Sequence, residues 1–306
     1  MKKNHYLAIL LFLLSTVIYA MPPHPDVIQE YKKNGTLPLL SSRMAADSRA
    51  GMNVSSKSFP LFGSRKVLVL LAGFTDQPFD GGSTPAFYSQ LFTGIDDNAL
   101  SWKKYYKDMS NGQLILEFDI YNVGTVGEDL AYYGANSTSD DMDIRPREFV
   151  SEVVALGDSF VNYRNYDNDG DGYVDTVIII HSGAGEEIGP LVGDTSQSDI
   201  DNRIWSHQWG ITPTLYNDVY VSSYAIQPEF VETAGDSSIG VFVHEFGHVL
   251  GLPDLYDTSY ESDGIGDWGL MAGGAWAGPS GNGSQPVPLS AWSRMQLGWI
   301  SVEDLN

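Results

Sequence analysis

Two histidines stand four residues apart in the stretch VFVHEFGHVLGLPDLYD, residues 241–257. On a helix, residues at this spacing lie on one face, a single turn apart along the axis. His244 and His248 therefore point the same way, and two neutral imidazoles so placed can hold one Zn²⁺. Glu245, beside the first histidine, is placed to take a proton from a water molecule on the metal. The pentad predicts a catalytic zinc site on a helix.

The residues after His248 predict how a third ligand reaches the ion. If the helix continued, residue 254 would lie roughly 15 Å along the axis from His244. Gly251 can adopt the left-handed conformation that ends a helix, and Pro253 prevents the helix from resuming. The chain can then reverse and bring Asp254 back as the third ligand. Three protein ligands leave one position open, which is typical of catalytic zinc.

A second acidic motif, YDNDGDGYVD, predicts a calcium site. Its side chains match the ligand positions of a calcium-binding loop, with Gly172 at the sharp turn, and the ligands are Asp167, Asp169, Asp171, Tyr173 and Asp175. Ile178 stands where an EF-hand has its bidentate glutamate, so we expect an abbreviated loop that leads directly into a strand from Tyr173 to His181. Calcium there would stiffen the protein.

The elements that must position these motifs alternate between strands and helices. Ser237 and Ser238 can cap the histidine helix, and Asp143 is a candidate N-cap for a helix that begins near Pro146. Apolar patterns predict strands at 65–74, 113–121, 173–183 and 219–230, helices within 25–35 and 98–112, and a loop that contains IWSHQWG. The sequence becomes glycine-rich after Gly251. We therefore expect a larger α/β lobe, about 61–250, and a smaller irregular lobe, about 251–306.

Composition limits the classes of partner. The chain has 306 residues, no cysteine, and 17 Lys and Arg against 39 Asp and Glu, a net charge of −22. Such a surface repels nucleic acid and anionic lipid, and disulfides are impossible. Lys2 and Lys3 precede an apolar run that ends at Ala20, which predicts a secretion signal over residues 1–20. The run is short for a membrane span.

The motif HEFGHVLGLPDLYD, or HExxHxxGxxD, resembles the metzincin signature with aspartate in place of the last histidine. It closely resembles the immune inhibitor A-like M6 family of secreted bacterial metallopeptidases. Further similar segments cover nearly all of residues 65–300: KVLVLLAGFTDQPF, SWKKYYKDMSNGQL, YDNDGDGYVDTVIIIHSG, IWSHQW and LSAWSRMQLGWI. The resemblance implies a metzincin-like zincin of the α/β (α+β) class, with a mixed twisted sheet, backing and active-site helices, and a Met-turn, here Met271 in GDWGLMAGG.

Two departures from the metzincin pattern leave alternatives open. The last signature ligand is Asp254 and not histidine, so four other residues remain rival third ligands: Asp257, Glu261, Asp263 and Asp267. No tyrosine lies two residues beyond Met271, where some metzincins keep a phenol that stabilises the transition state. Tyr256 and Tyr260 are the candidates for that role.

These observations predict a secreted zinc metalloendopeptidase that hydrolyses peptide bonds with a zinc-activated water and Glu245 as general base. We expect a monomer that acts on proteins or peptides, binds no nucleic acid and does not insert into membranes. An extended substrate could pair with an edge strand, for which IWSHQWG is the candidate. The alternatives are a calcium-stabilised binding or adhesion module with a vestigial zinc site, and a zinc hydrolase that acts on amides of cell-wall material.

The arm over residues 21–60 suits a propeptide, because an active peptidase is hazardous during export. Without cysteine there can be no cysteine latch. We expect the segment MPPHPD to reach the zinc through His24, through Asp26, or, as the family resemblance suggests, through the α-amino group of Met21. Elsewhere, His181 and His207 each follow an apolar run and are expected to be structural, while Glu186 and Glu187 could join a further cation site.

Overall fold

A computed structural model describes residues 19–34, 59–137, 142–258 and 261–301. Most of the proposed leader, much of the 21–60 arm and Tyr260 lie outside these ranges. A six-stranded mixed sheet forms the centre, in the order β1-β5-β6-β4-β2-β3. Its strands are β1 (Tyr19–Ala20), β2 (Gly63–Gly73), β3 (Leu114–Thr125), β4 (Val177–Ala184), β5 (His207–Tyr216) and β6 (Val219–Phe230). The α/β class predicted from the sequence is confirmed.

Strand direction changes at one side of the sheet. Strands β3, β2, β4 and β6 run parallel to one another. Strand β5 then runs antiparallel to β6, and β1 runs antiparallel to β5, with Ala20 opposite His207 and Tyr19 opposite Gln208. The four parallel strands need crossover connections, which the helices supply. Among the described residues, the outer side of β5 pairs only with the two residues of β1.

The helices lie on both faces of this sheet. They are α1 (Pro25–Asn34), α2 (Pro85–Thr93), α3 (Trp102–Met109), α4 (Leu130–Gly134), α5 (Pro146–Gly157), α6 (Gln197–Asp201), α7 (Ile239–Val249) and α8 (Ala291–Gln296). Short 3₁₀ helices occupy Tyr163–Tyr166, Glu186–Ile188, Gly266–Trp268, Gly273–Trp276 and Pro279–Gly281. The chain after α7 contains only these short helices and α8 among its described residues, as expected for an irregular C-terminal segment.

Two apolar cores form because successive side chains of a strand point to opposite faces. On β2, Val67, Val69 and Leu71 pack on the side of α7, α3 and α2. Leu68 and Leu70 pack on the other side, against α5. All eight residues of β4 are buried, as the unbroken apolar run predicts for a strand covered on both faces. Helix α7 thus packs on one face of a rigid sheet.

The histidine helix α7 is buried along its whole length. It begins after Ser238, whose hydroxyl donates to the carbonyl of Asn282 instead of capping the helix. It ends in a Schellman motif: Gly251 has φ of 93°, its N–H donates to His248 O, and Leu252 N–H donates to Gly247 O. The reversal predicted at Gly251 is confirmed.

Two glycines let the C-terminal segment approach α7 closely. A Cβ on Gly240 would lie 2.3 Å from the carbonyl oxygen of Ala275, and a Cβ on Gly247 would lie 2.4 Å from the sulfur of Met271. Glycine costs about 1 kcal/mol relative to alanine in a helix interior. The close packing of Met271 between the two histidine turns accounts for that cost at Gly247.

Three local predictions are wrong. Asp143 does not cap α5: Arg145 is the N-cap residue, and Asp143 instead accepts from the backbone N–H of Trp205. Strand β4 begins at Val177, because the acidic loop ends in a single bridge from Tyr173 to Tyr220. Residues from His207 onward form a strand and not the predicted loop, which agrees with the other interpretation of IWSHQWG, that of an edge strand. The alternation there is masked by Gly210 and Pro213.

No helix among the described residues is long and apolar enough to cross a bilayer.

We predict that Gly247→Ala lowers the free energy of unfolding by about 1–3 kcal/mol, because its methyl group overlaps the Met271 sulfur. Urea unfolding followed by tryptophan fluorescence measures this. Adding Met271→Ala should recover part of the loss, and Gly81→Ala, where the added Cβ meets no atom within 4 Å, is the control. Equal stability of Gly247→Ala and wild type would contradict the packing described.

Candidate active site

Three ligand atoms converge at the end of α7. The Nε2 atoms of His244 and His248 lie 3.1 Å apart, and Oδ1 of Asp254 lies 3.3 Å from each of them. All three residues are essentially buried. Asp254 reaches this point because the Schellman motif reverses the chain after α7. The structure thus brings together the three residues that the sequence predicts as a metal site.

The hydrogen bonds of the two rings fix which nitrogen faces the site. Nδ1 of His244 lies 2.9 Å from the carbonyl oxygen of Leu270, and Nδ1 of His248 lies 2.8 Å from that of Leu252. A carbonyl oxygen only accepts, so each Nδ1 carries the proton and each Nε2 of a neutral ring is a bare lone pair. Burial lowers the pKa of His248, which favours the neutral ring.

The geometry fits a tetrahedral metal. Two lone pairs and a carboxylate oxygen face one another in a buried space, and no proton lies between them. Such an arrangement is repulsive without a cation. Zinc–ligand distances of about 2.0–2.1 Å at a tetrahedral angle place ligand atoms about 3.3 Å apart, which agrees with the separations of 3.1 and 3.3 Å. Both oxygens of Asp254 lack a hydrogen-bond donor among the described residues, as expected of a metal ligand.

Glu245 lies next to this cluster and is fully buried. Its carboxylate oxygens have no hydrogen-bond partner among the described residues. Burial raises the pKa of Glu245 well above its usual value, and the charges of Asp254 and Glu187 act in the same direction. An unpaired carboxyl group with a raised pKa is suited to accept and return a proton.

A segment of the chain lies across the site. From β1 it continues in extended form, with Met21 N–H donating to Ser206 O at 3.1 Å. Two indole groups hold the carbonyls that follow: Trp205 Nε1 donates to Met21 O at 2.8 Å, and Trp276 Nε1 donates to Pro22 O at 2.9 Å. Met21 itself is 1% exposed. The cleft over the metal ligands is therefore filled by this chain's own N-terminal segment.

The three residues suggested for latency occupy different places. Met21 is buried in the same apolar core as α7, the helix that carries Glu245. His24 is buried against Trp276 and its Nε2 lies 3.1 Å from Gly281 O, so it anchors the segment beside the site. The side chain of Asp26 is 84% exposed and belongs to no group of metal-ligating atoms among the described residues. Of the three residues, Met21 is the one that packs with the helix of Glu245.

The Met-turn candidate lies directly below the ligands. Met271 is buried, its sulfur packs on α7 at Gly247, and its carbonyl accepts from Leu255 N–H at 2.7 Å. The preceding residue, Leu270, supplies the carbonyl that orients His244. Tyr256 extends towards the N-terminal segment, where its hydroxyl donates to Ala20 O at 2.9 Å.

The rival third ligands lie away from the imidazoles. Asp257 accepts from the backbone and hydroxyl of Ser262, which closes a surface turn. The metal-ligating group at His244 contains none of the four alternatives: Asp257, Glu261, Asp263 and Asp267. Asp254 is therefore the residue that the geometry favours.

The acidic loop forms a compact turn at the amino end of β4. Asp167 accepts backbone N–H bonds from Gly170, Asp171 and Gly172 at 2.8–3.0 Å. Carboxylate oxygens of Asp167, Asp169 and Asp175 come within 4.8 Å of one another, whereas Asp171 is outside that group. Burial, together with the charges of Asp169 and Asp167, raises the pKa of Asp175 to about 7, although Asn168 hydrogen bonds oppose the shift.

The other candidate residues have structural partners. His181 lies 3.0 Å from Ser182 O through Nδ1, and His207 contacts Trp205 O and the Tyr224 hydroxyl, each at 2.7 Å. Glu187 accepts from the backbone and hydroxyl of Ser206. Glu186 accepts from Asn136, and neither glutamate belongs to a metal-ligating group among the described residues.

Sequence reasoning missed the two indoles that hold the segment, Trp205 and Trp276. Each bonds to a carbonyl more than 180 residues away in the chain. No local pattern reports such a contact; the one usable signal is a tryptophan within the segment predicted as an edge strand.

This chain is similar to known peptidases. The model of the immune inhibitor A peptidase M6 catalytic domain matches residues 63–300. The pre-pro-metalloprotease PrtV of Vibrio cholerae is 30% identical over 297 residues, covering 79% of this chain and 31% of the relative. Immune inhibitor A of Bacillus thuringiensis subsp. alesti is 30% identical over 276 residues, covering 74% and 38%.

The chain thus spans about a third of the length of these curated relatives. The family match runs from the start of β2 to the end of the described chain, and it contains both the histidine helix and the reversal that returns Asp254. The resemblance noted in the sequence is confirmed: this chain belongs to the immune inhibitor A peptidase family M6.

Proposed function

We propose that this chain contains the catalytic domain of a secreted zinc endopeptidase with a metzincin-like fold, kept latent by its own N-terminal segment. The observation that carries the proposal is the convergence of His244, His248 and Asp254 beside an unpaired Glu245. Membership of a peptidase family supports the reaction class. The position of Met271 under α7 supports the metzincin likeness.

The residues of the proposed active site have separate roles in hydrolysis. Zinc held by the two imidazoles and Asp254 would polarise the scissile carbonyl and lower the pKa of water at the ion. Glu245 takes the proton from the attacking water and later gives it to the leaving nitrogen. Its burial, which excludes other donors, keeps the carboxyl available for both transfers. The Leu270 and Leu252 carbonyls hold the rings in the tautomer that leaves Nε2 free.

Latency follows from the position of the N-terminal segment. Cleavage after Ala20 by a signal peptidase would leave the α-amino group of Met21 beside Glu245, within the space that a substrate needs. The segment is held by Trp205, by Trp276 and by the anchoring of His24 at Gly281. We therefore regard residues 21–60 as a propeptide that competes with substrate for the cleft, and its removal as the activating step.

A calcium ion at the acidic loop completes the proposal. Asp167, Asp169 and Asp175 repel one another at these distances unless a cation or a proton compensates. The raised pKa of Asp175 is the expected sign of that repulsion and of burial in the ion-free loop. The loop joins the 3₁₀ turn at Tyr163–Tyr166 to β4, so an ion there would stiffen the start of a central strand.

We predict that the purified chain binds one zinc ion and that Asp254→Ala abolishes binding, since the site loses one of three ligands. Glu245→Ala should retain zinc but lower casein hydrolysis by about 10²–10⁴-fold after the arm is removed. Metal analysis and casein cleavage with and without a chelator measure both effects. Asp257→Ala is the matched control and should keep zinc. Loss of zinc from that control, with Asp254→Ala unaffected, would contradict the ligand assignment.

A latency test follows from the anchoring of the segment. Deleting residues 21–26 should make the chain active without proteolysis. His24→Ala should raise the basal activity of the full chain up to about fivefold, because it removes one buried anchor worth about 1 kcal/mol. Lys33→Ala, an exposed change in α1, the helix that follows His24, is the control. Unchanged latency after the deletion would reject the propeptide role, whereas absence of any cleavage would favour the binding-module alternative.

The calcium proposal predicts a pH-dependent stability. Asp175 holds its proton up to about pH 7 in the fold but only to its usual value when unfolded, so without calcium the folded state loses stability as pH rises through that window. Saturating calcium should raise the thermal midpoint at pH 8 more than at pH 5. Calorimetry measures this, with Asp169→Asn expected to remove the effect and Asp158→Asn, at an exposed site, to keep it. A calcium response that is equal at both pH values would contradict the proposal.

A further inference from the structure

We propose that Tyr256 is a catalytic residue: its hydroxyl stabilises the negative charge that develops on the carbonyl oxygen of the peptide bond being cleaved. The inference rests on the proposed function and concerns the same cleft. The hydrogen bond from Tyr256 Oη to Ala20 O, at 2.9 Å, is its main observation. The remaining contacts of the N-terminal segment show which bond that carbonyl belongs to.

The segment lies in the cleft in an extended conformation. Residues 19–20 pair antiparallel with β5, and the N–H of Met21 continues the ladder by donating to Ser206 O. The carbonyls of Met21 and Pro22 are both held by indole N–H groups. An added strand on a sheet edge is a common way for a protein to bind an extended peptide. The segment therefore traces the path that a substrate main chain can follow.

One peptide bond of the segment lies between two polar side chains. On its nitrogen side, Met21 is buried in the same apolar core as α7, the helix that carries Glu245. On its carbonyl side, the Tyr256 hydroxyl donates to Ala20 O. The phenol and the helix of the general base thus both lie at the same amide, Ala20–Met21. This arrangement identifies the position in the cleft where a substrate's scissile bond lies.

The chemistry at that position needs a donor to the carbonyl oxygen. When water adds to the carbonyl carbon, its proton passes to Glu245 and the carbon–oxygen double bond becomes a single bond to an oxyanion. The carbon–nitrogen bond then breaks, the oxyanion re-forms the double bond, and the proton on Glu245 passes to the leaving amine. A hydroxyl already placed at the carbonyl oxygen stabilises the oxyanion more than the neutral carbonyl.

The location of Tyr256 explains why it can serve this purpose. It follows the third ligand by two residues, so the same reversal that returns Asp254 also carries the phenol to the cleft. Two backbone hydrogen bonds of Leu255, the residue before Tyr256, hold the turn in place. Leu255 N–H donates to Met271 O at 2.7 Å, and Leu255 O accepts from Ile265 N–H at 3.0 Å. The position two residues beyond Met271, in contrast, is a glycine and offers no hydroxyl.

The test compares wild type, Tyr256→Phe and the control Tyr132→Phe, whose hydroxyl bonds Glu148 at the protein surface. Each secreted chain is activated by limited proteolysis within residues 35–58. The substrate is a fluorogenic peptide built on a bond that wild type cleaves in casein. The ligand is the same peptide with a phosphinate in place of the scissile amide, and calorimetry measures its binding. Metal analysis and thermal unfolding establish that all variants hold zinc and fold.

Tyr256→Phe is expected to lower kcat by about 10²–10³-fold, to leave KM within about threefold, and to weaken phosphinate binding by a factor similar to the loss in kcat. Zinc content and the control's kinetics should not change. If Tyr256→Phe fails to fold, Tyr256→His, which keeps a ring with an N–H donor, must retain kcat well above a Tyr256→Leu variant.

Two results would overturn the inference while leaving the proposed function intact: kcat near wild type with unchanged phosphinate binding, or a raised KM with normal kcat, which indicates ground-state positioning only. If cleavage by wild type does not depend on Glu245, the proposed function fails and this inference fails with it.

Discussion

The structure depends on the convergence of three electron-pair donors in a buried pocket. Two imidazole nitrogens and one carboxylate oxygen lie 3.1–3.3 Å apart, and the ring protons point away to main-chain carbonyls. Burying such a set is strongly unfavourable unless a cation joins it. The surrounding elements hold this cluster rigidly. The sheet is packed on both faces, helix α7 has no exposed residue, and the C-terminal segment packs closely against two glycines of α7.

The reversal at Gly251 links this cluster to the rest of the chemistry. It returns Asp254 to the imidazoles, then places Tyr256 at the N-terminal segment and fixes Leu255 on the Met271 carbonyl. Because Leu270 orients His244 while Met271 packs on Gly247, one short stretch supports both the ligand geometry and the helix that carries it. A change in this stretch is therefore expected to affect metal binding, stability and catalysis together.

Much of the site could be predicted from the sequence because its parts are local. The spacing of His244 and His248 follows from helix geometry, and Gly251 with Pro253 signals the reversal that Asp254 needs. The apolar runs that became β2, β4 and β6 were equally clear, although the start of β4 was wrong because the acidic loop holds Tyr173 outside the strand. The prediction that Asp143 caps α5 is wrong for a related reason: a cap-forming residue can bond a distant backbone, here that of Trp205.

Long-range contacts could not be predicted in the same way. Strand β5 lacks a clean alternation, and its pairing with β1 joins residues far apart in the chain. The bond between Tyr256 and Ala20 likewise exists only because the N-terminal segment enters the cleft. The sequence predicts a contact between Met21 and the metal site, but it does not predict in which direction the main chain runs through the cleft. That direction is needed to identify the Ala20–Met21 amide as the one beside Tyr256.

The most direct test of the central claim is anomalous diffraction at the zinc absorption edge, measured on crystals of the purified chain. The account predicts a single strong peak in contact with Nε2 of His244, Nε2 of His248 and a carboxylate oxygen of Asp254, and no fourth side chain on the ion. Absence of a peak there, or a peak closed off by a fourth protein ligand, would contradict it.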